Sequence, residues 1–285
     1  MKYRDLYNQG MEKLSSENIA DAKIDARLLL EYACETDRNA LFLKGDMEVA
    51  KEKEQLYFEL IEKRGKHIPL QHLTKEQDFM GLTFEVNEHV LIPRQDTECL
   101  VEIVLKHLHD GMKILDMCTG SGCILISLLH YSNDCVGVGV DLSEEALKVA
   151  TRNAQKHRNN GVADAMDVSF VHSDLFENVD GKFDMIVSNP PYIKTKVIET
   201  LMPEVKEFEP MMALDGMEDG LFFYRQIISD AKKHLERGGQ LFFEIGYDQG
   251  VEVSELMREN GYVDVEVFKD LAGLDRVVYG TFLEE

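Results

Sequence analysis

Apolar positions in residues 1 to about 70 recur at helical spacing, and no stretch there alternates as a strand would. After Ser16 and Glu17, the residues Ile19, Ile24, Leu28, Leu29, Tyr32 and Ala33 fall on one broad stripe. Between about 48 and 64, Leu56, Leu60 and Ile61 repeat with charges between them. The pattern predicts a small bundle of about four helices. It changes at 78–92, where Phe79, Leu82, Phe84 and Val86, then Val90, Leu91 and Ile92, predict a short hairpin with Asn87 near its turn and Pro93 as its stop. Thr97 is placed as the N-cap of a helix running to about His109.

From 112 onward short apolar runs alternate with helical stretches. Strands are expected at 112–116, 135–140, 167–172 and 183–188, with a helix at 143–158 begun by Ser143. After Pro191 the chain reads as irregular to about 216. A helix at 217–236, a strand at 240–245, a helix at 248–260 and strands at 262–268 and 276–282 follow. Strands alternating with helices predict a parallel, doubly wound α/β sheet. The last two strands, with no helix between them, predict an antiparallel edge. The expected domains are 1–74 (helical), 75–95 (a hairpin linker) and 96–285 (the sheet).

Charge narrows the possible partners. Thirty-one Lys and Arg against 53 Asp and Glu give −22, which argues against a surface for nucleic-acid phosphates and permits a basic protein or a cationic small molecule. The longest apolar run, Cys123 to Leu129, contains Ser127 and falls short of the ~18 residues of a membrane span. The opening MKYRDLYNQG has no apolar region of a secretory signal. Five cysteines, with no CxxC pair, suggest neither a disulfide framework nor a zinc site, so no metal is expected and a reducing cytoplasm is the expected compartment.

Candidate chemistry gathers at the ends of the predicted strands. The strand MKILD ends at Asp116 and is followed by Cys118, Thr119, Gly120, Ser121 and Gly122 before a helix opens. Glycines there allow a sharp turn and let a ligand approach main-chain N–H groups. The next strand ends at Asp141, where an acid commonly accepts hydrogen bonds from two adjacent ribose hydroxyls. A dinucleotide fingerprint needs Gly or Ala at position 125, which is Leu125, so a nucleoside lacking a pyrophosphate, such as S-adenosylmethionine, fits better. Ser173, Asp174, Leu175 and Phe176 follow the third strand at the same sheet edge. A polar residue there could meet an adenine amino group, and an apolar one could pack on the ring.

The fourth strand runs into Asn189-Pro190-Pro191-Tyr192. Two prolines stiffen the turn and remove two N–H donors, leaving the Asn189 oxygen and main-chain carbonyls, Pro190's among them, as acceptors beside the flat face of Tyr192. Such a corner suits a planar nitrogen carrying two hydrogens.

Together the loop DMCTGSG, Asp141 and NPPY resemble S-adenosylmethionine-dependent N-methyltransferases acting on planar nitrogens, of nucleic-acid bases or of glutamine in translation factors. The segments LIPRQDTE (91–98), EPMMALDGMEDGLFFYR (209–225) and KDLAGLDRVV (269–278) are similar to the bacterial peptide chain release factor glutamine methyltransferases. That resemblance implies a seven-stranded class I methyltransferase sheet preceded by a helical substrate-docking domain, in a monomer. It implies S-adenosyl-L-methionine bound by Cys118, Thr119, Gly120, Ser121, Gly122, Asp141, Leu175 and Asn189, leaving S-adenosyl-L-homocysteine as product. It also implies a substrate glutamine, in the Gly-Gly-Gln of release factors, held by Asn189, Pro190, Pro191 and Tyr192, with Asn189, Pro190 and Tyr192 catalytic. Nucleic acid and membrane are not among the implied partners. A base-directed N-methyltransferase, or one acting on glutamine in another translation protein, is the alternative, and a catalytically silent binding module the third. Cys118 stands where the resemblance calls for glycine, and Gln95 and Asp96 where it more often has Pro and Glu.

Other features read as structural. Gly238-Gly239-Gln240 duplicates the substrate tripeptide but is placed as a helix C-cap before a strand. His107 and His109 are placed on a solvated helix end, and the Lys/Glu run at 51–54 on a solvated face. Met211 and Met212 are placed beside a substrate path.

Overall fold

The computed structural model describes residues 1–159 and 167–283. Two compact units are present: residues 1–76 with 202–208, and residues 77–201 with 209–285. The first holds α1 (Tyr3–Ser16), α2 (Ala22–Cys34), α3 (Arg38–Leu43), α4 (Lys51–Gly65) and α5 (Leu70–Thr74). Leu6, Leu14, Leu29, Leu30, Tyr57 and Ile61 form its core. The buried stripe of α2 is Ala22, Asp25, Ala26, Leu29, Leu30, Ala33 and Cys34, while Ile24 and Tyr32, expected inside, are 50% and 43% exposed. The helix starts at Ala22 rather than just after Ser16, which closes α1. Reading the two segments as one run turned the stripe.

The second unit begins within the two-stranded hairpin β1 (Glu76–Phe79) and β2 (Leu82–Glu85), followed by α6 (Gln95–His107). The hairpin turns at Met80-Gly81, both left-handed (φ 50° and 72°), and not near Asn87; residues 90–92 form no strand. Met80 tolerates this because both its backbone groups are held. Its N–H donates to Glu98 at 2.7 Å, and its carbonyl accepts from the Tyr131 hydroxyl at 2.6 Å. Phe79, Leu82 and Phe84 of the hairpin share one core with α6 and the sheet.

The sheet contains β3 (Lys113–Met117), β4 (Val136–Asp141), β5 (Asp167–His172), β6 (Phe183–Ser188), β7 (Leu235–Glu244), β8 (Tyr262–Lys269) and β9 (Asp275–Phe282), in the order β5-β4-β3-β6-β7-β9-β8. β3 to β7 are parallel, and β9 runs antiparallel to both β7 and β8. Helices α7 (Cys123–His130), α8 (Glu144–Asn159), α9 (Thr195–Ile198), α10 (Pro203–Lys206), α11 (Phe222–Ala231) and α12 (Gly250–Glu259) complete the chain, with α10 lying in the first unit. Both sheet faces are buried, as the apolar strand runs require: Ile114, Val187 and Phe242 face one core, and their neighbours Leu115, Ile186 and Leu241 face the other. The expected doubly wound sheet with an antiparallel edge is what forms.

α11 is shorter than expected because left-handed residues at Met217 and Gly220 break the segment before it. Gly238, at φ 80°, does not cap a helix. It lies within β7, whose register on β6 slips between the Phe183–Leu235 and Met185–Gln240 pairs. Gln240 is thereby paired on both sides of the sheet, with Met185 and Thr281. Among the described residues no helix is long and apolar enough to cross a membrane.

Candidate active site

β4 and β5 lie to one side of β3, whereas the chain crosses to the other side for β6. A crevice opens at such a reversal, beyond the carboxyl ends of the strands. Met117 and Ser188, the last residues of β3 and β6, are partners in register, and the Ser188 hydroxyl donates to the Met117 carbonyl at 2.7 Å. Cys118 and Asn189 therefore leave the sheet side by side. The cavity at this point has a volume of about 510 Å³. Cys118, Thr119, Gly120, Ser121, Asp141, Leu175, Asn189 and Pro191 all line it, as do Met211 and Met212.

The loop after β3 is built to present main chain to that cavity. Cys118, Gly120 and Gly122 are left-handed, at φ 63°, 56° and 79°. A Cβ on Gly120 would meet nothing within 4 Å, whereas one on Gly122 would press on Ile126 and Ala150 at 3.0 and 3.2 Å. Gly120 thus keeps the approach open, and Gly122 lets α7 and α8 pack. Cys118 carries a side chain where the backbone suits glycine, at a cost of ~1–2 kcal/mol. Burial first, then Asp141 and Asp116, push its thiol well above the usual range, so it lines the cavity as a neutral group. Asn153 on α8 ties the loop down, donating to the Ser121 carbonyl at 2.9 Å while bonding both main-chain groups of Glu85.

Asp141 receives the Gly120 N–H on one oxygen at 2.9 Å and the Ser143 N–H on the other at 2.8 Å. Each oxygen keeps acceptor capacity. Burial raises its pKa, and the amides of Ser143, Gly120 and Leu142 oppose the rise. A half-buried carboxylate whose two oxygens are steadied by main chain and which lines a glycine-opened cavity fits the vicinal diol of a nucleoside. Leu175 (φ 46°) offers that cavity only an apolar surface.

Asp116 is fully buried, accepts from the Thr119 hydroxyl at 2.6 Å, and burial pushes its pKa up to about 7. A carboxyl raised above its unfolded value holds its proton in the native state, so stability falls as pH rises from about 4 to about 7 and levels off beyond. The expected contribution is on the order of 2–4 kcal/mol. Urea titrations of the wild type and Asp116→Asn across that range should show the steeper fall in the former; parallel curves would assign the slope to other groups.

The NPPY corner distributes its residues unequally. Asn189 and Pro191 line the cavity, Pro190 is buried beside them, and the Tyr192 hydroxyl donates to Glu244 Oε1 at 3.2 Å. Asn189 Nδ2 donates to Thr97 Oγ1 at 3.4 Å. Thr97 does not cap α6, which starts at Gln95; it is buried in the first turn and lines the cavity. Arg94 and Glu209, a pair at 2.6 Å, hold the 209–217 segment to the 89–94 segment, both walls of the cavity. Sequence reading missed Thr97, Glu209 and Glu244. Glu244 did leave a signal, an acid closing the apolar run QLFFE. His107 is not solvated: it packs on Phe242 and Tyr279 with ring centroids 5.4 and 4.8 Å apart. Among the described residues no cluster of His, Cys, Asp and Glu could hold a metal ion.

A seven-stranded, doubly wound sheet with its crevice at this reversal defines a class I methyltransferase. A solved methyltransferase from Pyrococcus furiosus shares the fold, with a TM-score of 0.52 and 20% identity over 72% of this chain and 90% of that one. Residues 5–74 match the PrmC N-terminal domain and residues 95–205 the Methyltransferase small domain. The release factor glutamine methyltransferase of Clostridium acetobutylicum is 40% identical over 283 residues, and that of Clostridium botulinum 39% identical over 280, each covering 98% of both chains. The chain belongs to the release factor glutamine methyltransferase family.

Proposed function

We propose that this chain methylates the side-chain amide nitrogen of the glutamine in the Gly-Gly-Gln tripeptide of peptide chain release factors, using S-adenosyl-L-methionine and leaving S-adenosyl-L-homocysteine. The observation that carries the reading is the in-register pair Met117–Ser188, which starts the glycine loop and the NPPY corner from adjacent strand ends. The names of the relatives point to glutamine, and the net charge of −22 disfavours a nucleic-acid substrate.

Residues 118–122 would hold the cofactor along their main chain, Asp141 at its ribose hydroxyls, and Leu175 against its base. When bound, it supplies a methyl carbon attached to a cationic sulfur. An amide nitrogen is a poor nucleophile because its lone pair is delocalised into the carbonyl. The Asn189 oxygen and the Pro190 carbonyl accept its two N–H groups, favour a pyramidal nitrogen and aim its lone pair into the cavity. Tyr192, anchored through its hydroxyl, gives the amide plane a flat neighbour. Positioning and fixed dipoles then carry the rate. The proton leaves after methylation, when the nitrogen is acidic, so no side-chain base is required. The helical unit, residues 1–74, docks the body of the release factor.

Mass spectrometry of purified release factor after incubation with this protein and S-adenosylmethionine should show one methyl group on the Gly-Gly-Gln peptide. Methylation elsewhere, or none, would remove the assignment. Transfer to intact release factor should exceed transfer to a short Gly-Gly-Gln peptide by at least about tenfold in kcat/KM, about 1.4 kcal/mol of docking. Equal efficiency would remove the docking role of residues 1–74.

A further inference from the structure

We propose that Gln249 is a positioning residue for methyl transfer, whose side-chain amide clamps the NPPY corner to the wall of the cavity from behind. The proposal rests on the reading that this corner holds the substrate amide. Pro190 and Pro191 have no N–H, so neither can fix the turn by donating from its own main chain. The corner has to be held from outside, and the carbonyl of Tyr192 is one point where it is held.

Gln249 immediately precedes α12 and is 4% exposed. Its Nε2 donates to the Tyr192 carbonyl at 3.1 Å and to the Gly220 carbonyl at 3.2 Å. Its Oε1 accepts from the Gly246 N–H at 2.9 Å. One N–H and two carbonyls converge there, and only a carboxamide answers them with one acceptor and two donors on a single planar group. The clamp is itself fixed. The Gln249 N–H donates to the Gly246 carbonyl at 2.9 Å, and the Gln249 carbonyl accepts from Val253 at 3.0 Å. Val253 and Met257 of α12 lie in one core with Leu241 and Phe243 of β7.

The Gly220 bond joins the corner to the cavity wall. Past Tyr192 the chain is already laced to that wall: the Ile193 N–H donates to Leu214 at 3.0 Å, Gly216 to Ile193 at 2.8 Å and Thr195 to Met217 at 3.0 Å. Asp215 and Met217 line the cavity. Close approach forbids a side chain at two places here. A Cβ on Gly216 would meet the Tyr192 Cα at 2.7 Å, and one on Gly220 would meet both the Tyr192 carbonyl oxygen and Gln249 Nε2. Corner, wall and the loop between β7 and α12 therefore meet at one buried amide. Tyr192 is held at its carbonyl by Gln249 and at its hydroxyl by Glu244, which keeps the acceptors before it aimed into the cavity. Gln249 acts through Tyr192 and not on the substrate.

Gln249→Met and Gly216→Ala test the clamp from its two sides. Methionine keeps the length and removes all three side-chain hydrogen bonds. The alanine methyl presses on the Tyr192 main chain and leaves Gln249 in place. Transfer to release factor and to a short Gly-Gly-Gln peptide is measured on folded protein, below each variant's unfolding midpoint, together with calorimetric affinity for S-adenosylmethionine. In both variants kcat should fall about 10- to 100-fold, as displaced catalytic groups lower it. The fall should be equal on protein and peptide, because both place their glutamine in the corner. KM for release factor and cofactor affinity should stay within about threefold of wild type, as when an interaction made only in the transition state is lost. Wild-type kcat in either variant, a loss confined to KM or to intact release factor, or a matching loss of cofactor affinity would each overturn the proposal. If Gln249→Met does not fold, Gly216→Ala carries the test alone. The underlying reading fails separately, as transfer surviving in Asn189→Ala.

Discussion

Asn189→Ala is expected to abolish measurable transfer while leaving the fold and the cofactor site in place. The side chain is half-buried and makes one hydrogen bond, to Thr97 at 3.4 Å, so its removal should cost little stability, within about 1 kcal/mol. Chemically it removes the polar group that would hold one substrate N–H, and the other polar side chain of the NPPY turn, Tyr192, is tied through its hydroxyl to Glu244. Losing one preorganised hydrogen-bonding group from an active site typically costs ~10²–10³ in kcat. A turn stiffened by two prolines cannot rearrange to replace it. Rapid-quench measurements of methyl transfer, with calorimetry for S-adenosylmethionine, would separate the effects. The expected outcome is a kcat lower by at least about 10²-fold, a cofactor affinity within about threefold and an unchanged unfolding midpoint. Full activity would disprove the acceptor mechanism, and loss of cofactor binding would make Asn189 a binding residue instead.

Much of this architecture could be read from the chain because short-range rules dominate it. β5 and β6 occupy the segments expected, and β3 and β4 start and end one residue late; β3 and β6 are mostly buried apolar runs that end abruptly, while β5, an edge strand with no buried residue, is marked by its alternation of Val168 and Phe170 with polar positions. The site was legible where backbone demands a residue type, at Gly120, Gly122 and the two prolines. It was not legible where a side chain's role depends on a partner distant in sequence. Thr97 looks like a cap until Asn189 is seen beside it. His107 looks solvated until Phe242 and Tyr279 close around it. The Met80-Gly81 turn was hidden for the same reason: methionine is no turn former, and only Glu98 and Tyr131 make its conformation tolerable. Gly238 carries a correct signal, positive φ, that a helix cap and an irregular strand use equally.

Arg64→Met is expected to undo the helical unit and spare the sheet. Arg64 is 7% exposed, and its guanidinium donates from Nε to Asp25 at 2.7 Å and from both Nη atoms to Glu204 at 3.1 Å. His67 meets the same Glu204 oxygen at 3.0 Å. Burial raises Asp25, and Arg64 is the chief opponent of that rise. Burial would also raise Glu204, but its own backbone amide, His67 and Arg64 together hold it below the usual range. Methionine keeps most of the volume and leaves two carboxylates without their cation, a change that costs ~3–5 kcal/mol. That is a large part of the ~5–15 kcal/mol available to a whole domain. Both carboxyls would then sit above their values in the wild type and retain protons longer in the native state, so the deficit should grow as pH rises above about 4. Replacing the set together, with Asp25→Leu and Glu204→Leu added, should restore most of the stability, because no buried charge is then left unpaired. Denaturant curves read from probes in each unit should show the first unit melting early and cofactor binding by the second unchanged. Because the same network holds 202–208 within the helical unit, transfer to intact release factor should fall with it while transfer to a short Gly-Gly-Gln peptide stays level. An unchanged first-unit transition would mean that water already screens these charges, and parallel losses on protein and peptide would mean that the helical unit supports the active site and does not dock the substrate.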